Sequence, residues 1–487
     1  MKNYSNLADY PFKTLPYAHQ LSSLRRSLHR HEYAYFLEMG LGKSKVLLDN
    51  AAILFDEGKI DALVIVTPKG NLRNWDKLEI PKHLPDHVNR NVLVWQPNHT
   101  KQWRQAYNKM VKEDSEGILN ILTVNVEAFS TKKGCVFVEN FLNVHHTMMA
   151  VDESTLIKNP KAQRTKNLLK MSVLPRYKRI LTGFPVTKAP LDLYSQCAFL
   201  SPRLLGFSSY YAFRARYAVV RQRNLGRHRS FQEIVDFQRL DELQAALGDF
   251  SVRYTKDECL DLPEKVYMKR EVELSEEQKK AYGMMKKEAL MIIEDNLFST
   301  QSVLTQLMRL QQVVAGSLRN ADGETVVLAN NRVKETVSLL EETGGKVIVF
   351  AVFQTDIEEL EKAIGKQFGR ESVASFYGKT SNKRREEVLE AFQDPDSELR
   401  FFVSNPHTGG RGLTLTAADT MIFYSNSYDL ELRLQAEDRI HRIGQDNRCT
   451  YVDLVAPGTV DTRILDSLRK KIKISNEVLG EVKEWFV

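Results

Sequence analysis

The sequence predicts an α/β protein of two tandem lobes, each a parallel sheet flanked by helices and each carrying a helical insertion. Three observations predict it. Apolar, β-branched runs alternate with amphipathic spacers in two separate series. The chain, at 487 residues, is too long for one hydrophobic core. A proline and a change of charge, in LDLPE at 260 to 264, fall between the two series. The expected boundaries are 1–262 for the first lobe with an insertion at about 191–256, 263–468 for the second with an insertion at about 275–315, and a helical tail over 469–487.

In the first series the runs are ALVIVT (62 to 67), ILTVN (121 to 125), MMAVDE (148 to 153) and RILTG (179 to 183). Near-continuous apolar character implies strands covered on both faces, as in a parallel sheet. From Leu191 to Lys256 the pattern stops and the chain reads as helical, rich in aromatics and arginine, with FRARYAVVRQRNLGRHRS at 213 to 230 as its most basic part. The second series is KVIVFAVF (346 to 353), SVASFYG (372 to 378), LRFFVSN (399 to 405), TMIFYSN (420 to 426) and CTYVDLVA (449 to 456). Between them, residues 275 to 315 read as helices, with Leu304, Leu307, Met308, Leu310 and Gln311 at helical spacing as a packing face.

Composition narrows the class. No stretch reaches the apolar length of a membrane span, and the N-terminus MKNYSNLADYPFK lacks the apolar core of a signal peptide, so the expectation is a cytoplasmic protein with no membrane partner. Cys135, Cys197, Cys259 and Cys449 lie far apart, without CxxC or CxxH spacing, and read as buried free thiols rather than a zinc site or disulfide framework. The net charge of +7 suits a polyanionic partner without proving one.

The chemistry begins at EMGLGKS, residues 38 to 44, just ahead of the helix KVLLDNAAILF. Glycines let consecutive N–H groups turn toward phosphate oxygens, Lys43 reaches the β and γ phosphates, and the Ser44 hydroxyl ligates magnesium. The strict pattern puts glycine at position 37; this chain has Leu37, so Gly40 must do more of the turning. MMAVDEST then ends a strand in two acids. Asp152 is suited to hold Mg2+ and Glu153 to orient and deprotonate water, with a simple helix cap as the competing reading. Order weighs for chemistry: a glycine-rich loop, two strands, then the acids.

Upstream, Tyr17 and Gln20 in YAHQ are placed to read an adenine edge, although a glutamine alone is commonly surface filler. Thr182, in LTGFP, either couples the γ-phosphate state to the lobe or forms a turn. In QAEDRIHRIGQ (435 to 445), Arg439 and Arg442 are three apart and are expected on one helical face. Two guanidiniums there suit an arginine-finger role; a surface helix salt-bridged to Glu437 and Asp438 is the alternative. Trp75 reads as core rather than as a base-stacking residue.

These segments together resemble superfamily-two helicases and, within them, the SWI/SNF-type ATPases. The resemblance runs from Tyr17 to about Leu468 through EMGLGKS, VIVTPKGNLRNW, VDESTLIKN, LTGFPVTKAPLDLYSQCAFL, FYGKTSNKRREEVLEAFQ, SNPHTGGRGLTLTAADTMI and QAEDRIHRIGQ, in family order. Glu38 stands where the family usually has aspartate, and Ser154 and Thr155 replace its Ala-His. The resemblance implies RecA-like lobes, ATP and Mg2+ as cofactors, and ATP held between the lobes on Lys43 and Ser44, with Gly412 in the nucleotide set and Arg439 and Arg442 closing on it. It implies a monomeric translocase on double-stranded or branched DNA, closest to the fork-remodelling and strand-annealing branch, of a kind suited to a bacterial or viral genome.

Phosphate contacts are expected at Lys69, Arg73 and Asn74 in the first lobe and at Lys379, Thr380, Arg411 and Thr416 in the second; each is otherwise a solvated loop residue. Arg214, Arg216, Arg221, Arg223, Arg227 and Arg229 either grip the duplex or form a solvated face. The rival functions are a strand-separating DNA or RNA helicase, which needs a wedge hairpin that the sequence does not display, and an ATP-gated nucleic-acid-binding scaffold.

Overall fold

The computed structural model describes residues 7–112, 117–224, 230–294, 300–319, 324–378, 380–409 and 413–479. The described residues form two compact units, one of residues up to 260 together with 473–479, the other of residues 261–472.

The first unit is built on a seven-stranded sheet, with strands β1 (Glu32–Leu37), β2 (Ala62–Thr67), β3 (Arg90–Val94), β4 (Leu119–Asn125), β5 (Thr147–Asp152), β6 (Tyr177–Leu181) and, after a hairpin, β9 (Ser251–Tyr254). The order is β3-β4-β2-β5-β6-β1-β9 and every pairing is parallel. Residues alternate between two cores, as the strand period of two requires. Val64, Val66, Ala34 and Phe36 enter one with Phe129 and Phe199; Leu63, Ile65, Tyr33, Tyr35 and Leu37 enter the other with Leu47 and Leu48.

The runs at 62, 121, 148 and 179 are strands as the sequence indicates, but β1, β3 and β9 are additional. The loop–strand–acid order is therefore corrected: β2, β3 and β4 separate the glycine loop from β5. The reading of 191–256 as helical is corrected too. After the helix Tyr210–Tyr217, capped by the Ser209 hydroxyl accepting from Ala212 N at 3.2 Å, comes an antiparallel hairpin, β7 (Ala218–Asn224) and β8 (Ser230–Phe237). Its alternation was disguised by arginine: Val220 lies opposite Ile234 and Arg221 opposite Glu233, and Arg223 pairs with Glu233 at 2.6 Å. Arg227 and Arg229 lie outside the described residues.

The second unit carries a six-stranded parallel sheet of β10 (Lys265–Glu271), β13 (Lys346–Phe350), β14 (Val373–Phe376), β15 (Phe401–Ser404), β16 (Ala418–Phe423) and β17 (Cys449–Val455), in the order β10-β17-β16-β13-β15-β14. A short antiparallel pair, β11 (Ser317–Arg319) and β12 (Thr325–Val327), stands apart. Strand β10 was hidden by its charged sequence KVYMKRE, half of which faces solvent at the sheet edge. Helices Glu276–Glu294 and Thr300–Ala315 occupy the expected insertion. Of its proposed packing face, Leu310 is buried and Leu307 packs partly against Ile464 and Leu465, and Gln311 donates to Asn426 O at 3.1 Å. Met308 is a correction, since it is 54% exposed; the Leu304 side chain lies outside the described set. Cys197 and Cys449 are buried free thiols, whereas Cys135 and Cys259 are only half-buried. No helix among the described residues is long and apolar enough to cross a membrane.

Candidate nucleotide site and nucleic-acid surface

The glycine loop joins β1 to helix α2 (Lys43–Asp56) at the carboxyl end of the first sheet, where open α/β sheets bind ligands. Leu37 is fully buried as the last residue of β1, which explains why glycine is absent there: the position belongs to the core, not the turn. The turning falls to Gly40 (φ 84°) and Gly42 (φ 80°). At Gly42 two constraints coincide, because a Cβ would also sit 2.2 Å from the Gln20 amide nitrogen. The Lys43 ammonium donates to Leu37 O at 3.0 Å.

The α1 helix (Ala18–Ser27) braces this loop. His19 Nε2 and Gln20 Nε2 both bond Leu41 O, at 2.9 and 3.1 Å, and Gln20 Oε1 accepts from Tyr17 N at 3.0 Å. Gln20 is thus buried and engaged with the loop, while Tyr17 is 55% exposed and stacked on His19.

Asp152, the last residue of β5, is buried, and its Oδ2 accepts from the Thr67 hydroxyl and from Trp75 Nε1, each at 2.9 Å. Trp75 is core, as expected, but it also fixes the carboxylate. Glu153 adopts φ 50°, a left-handed conformation that costs a non-glycine residue energy and commonly marks sites of function. Ser154 is buried with its hydroxyl donating to Gln196 Oε1 at 2.7 Å, so this position is tied to the helix Leu193–Leu200.

One residue escaped the sequence reading altogether. Glu79 ends a π-helical turn, Trp75–Glu79; Asn74 Nδ2 donates to its Oε1 at 3.4 Å, and His83 Nε2 lies 3.9 Å from its Oε2. Burial, with Asp152 nearby, holds its carboxyl above the ordinary range against the opposing pull of Ser44 and Asn74.

Strand β6 lies between β5 and β1, so LTGFP passes directly between the acids and the glycine loop. Thr182 is buried and its hydroxyl oxygen accepts from Phe184 N at 3.2 Å, the turn geometry. Arg253, on β9, donates through Nη1 to Phe36 O and Gly183 O, both at 2.8 Å, and Lys256 N donates to the Glu38 carboxylate at 2.8 Å. Neither contact was foreseen.

In the second unit the helix Leu430–Glu437 ends before the arginine pair, so the expectation of a shared helical face is corrected: Arg439 and Arg442 lie in the turns beyond it. They still converge, with Arg439 Nη1 and Arg442 Nη1 donating to Leu413 O at 2.9 and 3.1 Å. Gln445 Nε2 donates to Ala418 O at 2.8 Å, and His441 Nε2 bonds Pro263 O at 2.9 Å. The glutamine and histidine of HRIGQ therefore shape the turn. Beneath it, Glu437 is paired with Arg433 at 2.7 Å and accepts from Tyr267 at 2.7 Å.

Among the nucleic-acid candidates, Lys69 and Arg73 are exposed on the segment after β2. Asn74 is half-buried and turned to Glu79, which takes its amide to the nucleotide side. Thr380 closes a turn with Tyr377, and Thr416 O accepts from Gln445. Lys379, Arg411 and Gly412 lie outside the described residues.

The donor set fits a magnesium nucleotide. A helix N-terminus behind two left-handed glycines offers N–H groups and positive potential to phosphates, and a hydroxyl with an oriented carboxylate suits a hard cation. A parallel sheet with these groups at its carboxyl end defines the ATP-binding lobe of a P-loop ATPase.

Residues 27–317 match the SNF2-related domain and residues 330–444 the helicase conserved C-terminal domain. The chain belongs to the SNF2-related family. It is similar to chromatin remodeling factor mit1 of Schizosaccharomyces pombe (25% identical, over 92% of this chain and 31% of that protein). It is also similar to an ATP-dependent helicase of Mycoplasma genitalium (26%, over 95% and 42%) and to the DNA annealing helicase and endonuclease ZRANB3 of Bos taurus (27%, over 92% and 39%). The chain therefore spans less than half the length of each of these relatives. A solved SWI2/SNF2 ATPase core of Sulfolobus solfataricus, in complex with dsDNA, is 22% identical with a TM-score of 0.43, covering 97% of this chain and 95% of that one.

Proposed function

We propose that this chain hydrolyses ATP to translocate along double-stranded DNA, remodelling DNA or protein–DNA complexes in the cytoplasm as a monomer. The observation that carries the reading is the gathering, at one end of one sheet, of Lys43, Ser44, Asp152 and a left-handed Glu153. ATP with Mg2+ supplies the leaving group and the counter-charge. Lys43 neutralises the β and γ oxygens, Ser44 ligates the cation, and Asp152, held by Thr67 and Trp75, orients its water shell. Glu153 takes the proton of the attacking water. Tyr17 and Gln20 flank the base, with Gln20 also bracing the loop. Arg439 and Arg442 act as fingers on the γ-phosphate, a contribution worth about 10³ or more in rate. Lys69 and Arg73, with Lys379, Thr380, Arg411 and Thr416, track phosphates without reading bases.

The names of the relatives, a chromatin remodelling factor and a DNA annealing helicase among them, support this class of activity. The test is ATP hydrolysis measured side by side with duplex DNA, forked DNA, single strands and RNA. Strongest stimulation by duplex or forked DNA is expected; RNA as the best activator sinks the assignment. Lys43→Ala and Glu153→Gln are each expected to abolish turnover while DNA binding survives.

A second reading, a strand-separating helicase, gains from one observation: the exposed β7–β8 hairpin is the kind of element that can act as a wedge. Displacement of a labelled strand from a fork, absent for a pure translocase, distinguishes the two.

A further inference from the structure

Lys45 follows Ser44 directly, yet no role above uses it. Its side chain is 4% exposed, and its ammonium donates to the Asp49 carboxylate at 2.8 Å and to Thr14 O at 2.6 Å, with the centre of the Phe12 ring 5.3 Å away. Asp49 is buried as well, and its second oxygen has no hydrogen-bond donor among the described residues. Burying such a pair costs desolvation that well-packed apolar side chains avoid. The pair is therefore a poor stabiliser of α2, and what it adds is a grip on Thr14.

Thr14 belongs to a strap that runs toward the nucleotide site. Residues 11–17 form no helix or strand, so side chains fix their place. Tyr10 is buried and donates to Asp56 at 3.0 Å, Lys13 pairs with Asp86, and the Thr14 hydroxyl bonds His83 at 2.9 Å. Of these grips, only that of Lys45 comes from the first turn of α2, the turn that holds Lys43 and Ser44. Three residues beyond Thr14 stands Tyr17, 55% exposed, with Pro16 stiffening the chain before it and Gln20 accepting from its N–H at 3.0 Å. Successive residues of a helix point about 100° apart, so one turn of α2 can serve the phosphates with Lys43 and Ser44 while Lys45 turns to the strap.

We propose that Lys45 is a positioning residue for the nucleotide base: by holding the Thr14 carbonyl against the first turn of α2, it sets the place of the Tyr17 ring relative to the phosphate cradle. This rests on the nucleotide-site reading above, in which Tyr17 and Gln20 flank the base. The experiment titrates ADP and, separately, inorganic pyrophosphate into the full chain by calorimetry, a readout that requires no turnover. Replacing the pair together, Lys45→Met with Asp49→Leu, leaves neither charge buried alone. ADP affinity is expected to fall about tenfold, the scale of one hydrogen bond from a charged donor, while pyrophosphate affinity is unchanged. Pro16→Gly, which slackens the chain between anchor and ring without touching the buried pair, shows a loss of the same kind. In a Tyr17→Ala background, replacing the pair costs nothing further, the non-additivity expected of residues that act through one another.

Equal losses for ADP and pyrophosphate overturn the proposal, because the cradle itself is then what Lys45 supports. So does parent-level ADP affinity in either the paired replacement or Pro16→Gly, and so does a tenfold loss that persists when Tyr17 is already alanine. If the unaltered chain binds ADP no more tightly than pyrophosphate, the base role of Tyr17 and Gln20 falls first and takes this proposal with it.

Discussion

A single position shows how local identity and site chemistry separate. Leu37 occupies the place where a strict phosphate-binding loop has glycine, yet it is fully buried at the end of β1. Restoring the glycine should therefore harm rather than help. Leu37→Gly is expected to cost about 3–5 kcal/mol, from the cavity it leaves and the added backbone freedom, read by denaturant unfolding, with no gain in nucleotide affinity. Tighter nucleotide binding in that variant would show that the loop, not the core, governs this residue. Lys43, Ser44 and Asp152 were legible because their motifs are local. Trp75 as a donor to Asp152 was not, since 77 residues separate the pair and only β2 running beside β5 brings them together.

At the scale of elements, the segment from Trp75 to His83 works as one unit. Trp75 holds Asp152, Glu79 takes the Asn74 amide, and His83 Nδ1 bonds the Thr14 hydroxyl at 2.9 Å, tying this segment to the chain that leads into α1. Burial, reinforced by Lys45 and Lys82, pushes the His83 imidazole down to about 4. The folded state thus keeps His83 neutral where the unfolded chain binds a proton. Its cost is absent above the unfolded value of 6.5, grows as pH falls through that value, and is complete below about 4. His83→Gln is expected to recover about 2–3 kcal/mol of stability relative to the parent at pH 4.5, compared with its effect at pH 8, in paired urea titrations. An equal effect at both pH values contradicts a neutral buried imidazole.

Elements were legible where composition was uniform. Strands such as ALVIVT and KVIVFAVF announce themselves, being apolar on both faces. Strand β1 mixes tyrosines with a leading glutamate, β10 is half charged, and β7 carries arginine at alternate positions, so each imitates a helix surface or a loop. The arginine pair was misread for the opposite reason: its three-residue spacing is helical, but the helix stops at Glu437, held there by Arg433 and Tyr267.

For the whole molecule, a net charge of +7 with exposed Lys69 and Arg73 sets the form of nucleic-acid binding. Affinity for duplex DNA is expected to fall steeply with salt, and Lys69→Ala or Arg73→Ala should each flatten the log–log slope by about 0.9, the contribution of one neutralised phosphate. A slope unchanged in both variants removes these residues from the DNA path.

The return of the insertion through β9 has a mechanical meaning. An arm attached by loops alone could sway without disturbing its base; this one is rooted in the ladder of the strand that feeds the glycine loop, and Arg253 rivets that root to Phe36 and Gly183 at once. The strand that closes the insertion and the strand that opens into the phosphate cradle thus share one hydrogen-bonded ladder, with Arg253 bonded to both Phe36 and Gly183.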